Sequence, residues 1–168
     1  MIFHVVFAIS MLGAAIHLFR ERSAGLGAPR VVEVLLLYLL CVLWGFGGVL
    51  LSIPHILTPD PIAESIGWEP GSPFQVELGF ASLGTSIVGI LCIWHRGWFW
   101  LAPIVARSVF LLGAAYVHLE DIVLHGNYSP GNAGPVLFYD ILVPVLAGSL
   151  FVAYVRQGGT TLNGRGPG

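Results

Sequence analysis

The sequence predicts an all-α, polytopic membrane helix bundle of five transmembrane helices, with the N-terminus out and the C-terminus in. Three observations lead there. Hydrophobic residues make up 56% of the chain and charged residues only 10%, with a mean hydropathy of +0.85, too little charge to cover the surface of a soluble domain. Several apolar runs reach or approach the roughly 20 residues that cross a hydrocarbon core. Arg20, Arg22, Arg30, Arg96 and Arg156 fall on the first and third connectors and at the C-terminal end, while the second and fourth connectors have none, and that asymmetry sets orientation.

Each element follows from local chemistry. Ile2 to Phe19 is apolar and lacks a basic segment ahead of it, so it reads as a retained first helix, not a secretory signal. Val31 to Ile53 is the second span, with Gly45, Gly47 and Gly48 offering close helix approach. The proline-rich stretch from Pro54 to Gly71 leaves the membrane, and Asp60-Pro61 is placed to cap a short interfacial helix running to Trp68. Ser72-Pro73-Phe74-Gln75 has the form of a capping box with proline at the first helical position, opening a third span from Pro73 to Trp94. His95-Arg96-Gly97 is a tight turn that makes the third and fourth spans antiparallel neighbours. The fourth runs from Trp98 to His125, with Gly126 as its stop. NYSPGNAG, residues 127–134, is turn-forming, and Pro135 to Val155 is the fifth span. Residues 1–156 thus read as one transmembrane domain and 157–168 as a flexible, polar, glycine-rich tail.

The fourth span carries the chemistry. At about 100° per residue, Arg107, His118, Asp121 and His125 fall within about 40° of one line. Charge facing lipid is expensive, so the stripe must face other helices or a hydrated cavity. Arg107 lies about 13 Å from the inner end of its helix, and it requires a partner there. Glu77 and Asp140, about 6 and 7 Å into their helices from the other side, are the carboxylates placed toward it, so a buried ion pair of Arg107 with Asp140 or Glu77 is expected. Pro144 frees the carbonyl of Asp140 as well. His118, Asp121 and His125, with Glu77 and Asp140 from neighbouring helices and His4 and His55 on the same side, are candidate ligands for a transition metal, since imidazole and carboxylate suit zinc, copper or iron. The same groups suit proton binding. On the inner side, His17 and Glu33 are placed to pair across the first two helices.

Two segments, IGWEPGSPFQVE at Ile66 to Glu77 and HGNYSPGNAGPVLFYD at His125 to Asp140, resemble an uncharacterised family of small prokaryotic integral membrane proteins. The resemblance runs roughly from Pro61 to Val155 and leaves the first helix outside. It implies membrane location and singles out Gln75, Glu77, Asn132 and Asp140, together with the polar end His118 to His125, but it brings no activity with it.

Three functions stay open. One is an outward-facing His/carboxylate cavity that binds a metal ion, a proton or a small polar ligand, in a transport, sensing or accessory role. Another is a structural subunit that assembles with itself, as a homo-oligomer, or with a larger membrane complex. The third is a membrane metal-dependent oxidoreductase, although six scattered histidines are few for one. Scattered single arginines and a net charge of −2 leave no footprint for nucleic acid. No serine or cysteine stands in a nucleophile motif, and Cys41 and Cys92, each inside an apolar run, predict no disulfide.

Overall fold

Backbone without access to water must close its own hydrogen bonds, so each long apolar run becomes a helix. A computed structural model describes residues 2–160. They form α1 (Ile2–Glu21), α2 (Ala28–Leu57), α3 (Pro59–Ile66), α4 (Phe74–Leu91), α5 (Leu101–His125) and α6 (Pro135–Arg156), with no strand among the described residues. All but the short α3 are long and apolar enough to cross a membrane. Residues 161–168, most of the expected tail, lie outside the described residues, and Gln157 to Thr160 form a turn.

The core forms around α2, which packs against α1, α4 and α6. Its middle, Leu39–Phe46, is wound as a π-helix, a wider form closed by i→i+5 hydrogen bonds. Leu39, Leu40, Leu43 and Trp44 are all buried there. At the crossing with α4, a Cβ on Gly89 would stand 2.8 Å from the Leu40 carbonyl oxygen and 3.2 Å from the Gly45 Cα, so the two helices meet backbone to backbone. The exterior is apolar too: Leu12, Val109 and Leu142 are each more than 60% exposed, the pattern of a surface that faces hydrocarbon. α1 follows the same rule, burying Val6, Ser10 and Ala14 in one stripe while Val5, Ile9 and Ile16 point away.

One end of the bundle is held by arginine. Arg30 bonds Glu21 at 2.7 Å and Glu33 at 2.8 Å, and Arg96 bonds the other oxygen of Glu33 at 2.7 Å. His17 therefore meets Glu21 and Arg30, each at 3.2 Å, and the expected contact with Glu33 runs through Arg30. Behind this network the Trp100 indole donates to the Cys92 carbonyl at 3.1 Å and stacks on Tyr154.

Three boundaries differ from expectation, each for a local reason. α2 continues past Pro54 to Leu57, because an interior proline removes one backbone bond and the following turn closes with Thr58 N donating to the Pro54 carbonyl at 2.9 Å. The capping box at Ser72 does not form. Pro73 takes the cap position, Ser72 Oγ accepts only from Phe74 N at 3.2 Å, and Gln75 turns inward to His55. Asp60 likewise does not cap α3, since its carboxylate accepts from Gly71 N at 2.8 Å. The stop at Gly126 forms as expected, in the left-handed region with φ of 65°.

Candidate functional site

At the end opposite the arginines, α3 and the 127–134 loop close over the α5–α6 pair. Asn132 is the keystone. It has no exposed surface, and its Nδ2 donates to the carbonyls of Asn127 at 2.8 Å and His118 at 3.3 Å. Two carbonyl acceptors fix the amide orientation, so Oδ1 faces His118 Nδ1 at 2.6 Å as an acceptor. His118 therefore carries its proton on Nδ1. Nε2, left unprotonated, lies 3.9 Å from Asp140 Oδ2.

Asp140 is itself buried, and among the described residues its carboxylate accepts no hydrogen bond. A gap of 3.9 Å is too long for a direct hydrogen bond. Trp68, just beyond α3, roofs the site. Its ring lies over His118 at 6.1 Å and 23°, and its Nε1 donates to Asp121 Oδ2 at 3.0 Å. Asp121 also accepts from Asn127 Nδ2 at 2.6 Å and faces His125 Nδ1 at 2.9 Å. Asn127 in turn donates to the Ile66 carbonyl at 2.8 Å. The roof is thus tied to α3 and α5 by one asparagine.

Deeper in the bundle, Arg107 is buried on α5 and reaches toward α4. Its Nη1 donates to Ser82 Oγ at 2.8 Å, to Thr85 Oγ1 at 3.0 Å and, at 3.4 Å, to the Ser82 carbonyl. Ser82 and Thr85 stand three residues apart, one turn on the same face. The expected ion pair is corrected here: among the described residues no carboxylate lies within ion-pair distance of Arg107. Asp140 and Arg107 interact electrostatically across a gap, and Glu77 is exposed, its carboxylate without a hydrogen bond or ion pair among the described residues. Helical spacing ranks the depth of a charge but not the rotation of its helix, and Glu77 faces outward.

The expected metal set also does not assemble. Among the described residues no three His, Cys, Asp or Glu side chains converge on a position that could hold a metal ion. His118 and Asp140 come together, Asp121 and His125 form a separate pair under Trp68, and Glu77 joins neither. His55 is engaged with Gln75 at 2.9 Å, and His4 lines an apolar groove of about 550 Å³ between α1 and α6. Sequence reasoning missed Trp68 and Asn127 as site residues and Ser82 and Thr85 as the partners of Arg107. The hydroxyls were legible as a polar pair one turn apart, but the Trp68 contact spans 53 positions of chain and left no local signal.

Comparison with known proteins places residues 1–160 within a family model described as a family of unknown function, DUF6790. The match takes in α1, which the motif resemblance left out. No curated protein and no solved structure matches the chain.

Proposed function

The chain belongs to DUF6790, a family of unknown function, and from that premise we propose a function drawn from the site alone. The protein is a small integral protein of the bacterial cytoplasmic membrane that takes up a proton or a small polar ligand, from the outward side, at His118 and Asp140, with Arg107 as the floor of the site. Its role is in transport, sensing or as an accessory to a larger system. The observation that carries this reading is the buried approach of His118 Nε2 to Asp140 Oδ2 at 3.9 Å, with the tautomer set by Asn132 so that an unprotonated nitrogen faces the acid. A buried ionisable pair is expensive in hydrocarbon and suits a polar pathway. The distribution of Arg20, Arg22, Arg30, Arg96 and Arg156 supports an outward-facing His118 end.

Infrared difference spectroscopy across a pH titration, on protein in lipid nanodiscs, tests it. A carboxylic-acid band should appear and disappear with pH, vanish in Asp140→Asn and shift in His118→Gln. An acid band indifferent to His118 would sink the shared site. A second reading, assembly with itself or another membrane protein, draws on Gly84, Gly113 and Gly148, each of which faces open space on the outside of the bundle. Assembly predicts that bulky substitutions there change the oligomeric state and leave the acid band alone.

A further inference from the structure

α1 is seated on α2, where Ser10 Oγ donates to the Tyr38 carbonyl at 3.0 Å and Gly13 lies against the Tyr38 ring. Toward α6 it offers Phe3, whose ring centroid is 5.0 Å from that of Tyr139. Between α1 and α6 runs the apolar groove of about 550 Å³, a size common among small-molecule sites. Phe3 and Phe7 line it from one side and Phe138, Tyr139, Leu142 and Leu146 from the other. The Tyr139 hydroxyl is buried beside the Trp44 indole, so that residue gives the groove its ring. His4 and Gly134 lie at the roof end, and no Asp, Glu, Lys or Arg is among the lining residues. Along α6 the lining runs from Pro135 to Leu146, about 17 Å at 1.5 Å per residue. That is roughly half of a hydrocarbon core of about 30 Å. The groove thus starts at the roof and stops near the membrane centre.

We propose that this groove binds one acyl chain of a diacyl phospholipid from the leaflet on the roof side. Moving a lipid chain from bulk lipid onto protein brings no hydrophobic gain, so affinity must come from dispersion contacts on several sides at once. The groove supplies them. Val143 is 5% exposed at its floor, while Phe138 and Leu142, at 63% and 62%, stand out beside it. A second transmembrane helix is a poorer occupant, because it would need small residues for close approach and a contact running the full span. Here the walls are bulky and end halfway. A ligand with a polar ring would need hydrogen-bonding groups inside, and below His4 the lining offers aromatic and aliphatic surface. The site stands apart from the His118 pair and needs only that α1 and α6 cross a membrane.

Nanodiscs of phosphatidylcholine, doped with a phosphatidylcholine that carries a photoreactive diazirine near the middle of one acyl chain, test this by crosslinking and peptide mapping. Phe80 on α4 is the internal reference, since it is 58% exposed and lies at nearly the depth of Leu142, each six or seven residues into its helix. Label on Phe7 and on residues 138–146 should exceed that around Phe80 several-fold. Native mass spectrometry of the released protein should show one retained phosphatidylcholine. Leu142→Trp, which fills the groove from a lipid-facing position, should remove both the excess label and the retained lipid, and Phe138→Ala should lower them several-fold. Leu12→Trp, on the exposed face of α1, should leave them unchanged. Label equal to that around Phe80 would mean an ordinary lipid annulus, and the proposal falls. It falls equally if the groove crosslinks to a second copy of the chain, or if the retained mass belongs to another class of molecule. None of these outcomes bears on the infrared test of His118 and Asp140, so the two readings fail separately.

Discussion

Asn132 sets the state of the site because it reads two carbonyls with one end and an imidazole with the other. Asn132→Ala would strand His118 Nδ1 and two backbone carbonyls in a buried position. Losses of this kind amount to about 2–4 kcal/mol, to be seen as a lower unfolding midpoint in mild detergent. Ser82→Ala and Thr85→Ala should each lower stability by about 1–2 kcal/mol. The double variant should depart from the sum, since the two hydroxyls share one guanidinium nitrogen. At this scale the polar stripe of α5 was legible: Arg107, His118 and Asp121 all face protein. The partner of Arg107 was not, because a formal charge draws attention to carboxylates, while a guanidinium at this depth is held by neutral hydroxyls closer to its own level. His118 and Asp140 did meet, since depth and face agreed for both.

Helices are the best-read part of the chain. Each apolar run became a helix, and Gly126 and Pro135 bound the 127–134 loop where turn chemistry put them. The misreadings cluster where a tertiary partner outbid a local motif: Gln75 turned from a cap to His55, and Asp60 turned from α3 to Gly71. The π-helical turn of α2 has no signature in an apolar sequence, because it depends on how α1, α4 and α6 crowd that segment. Trp68 fastens α3 to α5, so Trp68→Ala should speed amide exchange over residues 59–71 and leave the buried middle of α5 protected. Gly89→Leu should be far more disruptive. With the Leu40 carbonyl and the Gly45 Cα in its way, it would part α2 from α4 and abolish the folded protein in detergent.

The whole molecule is arranged as two unlike ends joined by an apolar body, with an ion network at one and the Asn132–Trp68 roof at the other. The orientation proposed above rests on the arginine distribution. Cysteines placed at the exposed Glu69 and Tyr128 should react with an impermeant thiol reagent from outside intact cells, and one at Arg22 only after permeabilisation. Asn132, on the same loop as Tyr128, is buried and would not report. The site depends on this asymmetry, because His118 and Asp140 sit just below the roof while Arg107 lies farther along the same helix toward the other end. The central claim is that Asn132 holds His118 with its proton on Nδ1 and presents Nε2 to Asp140. ¹⁵N NMR of histidine-labelled protein in nanodiscs at alkaline pH tests this most directly, with His118→Gln assigning the signal. The account predicts a neutral His118 in the Nδ1–H tautomer whose Nε2 shift changes in Asp140→Asn. A His118 protonated on Nε2, or one blind to Asp140, would contradict it.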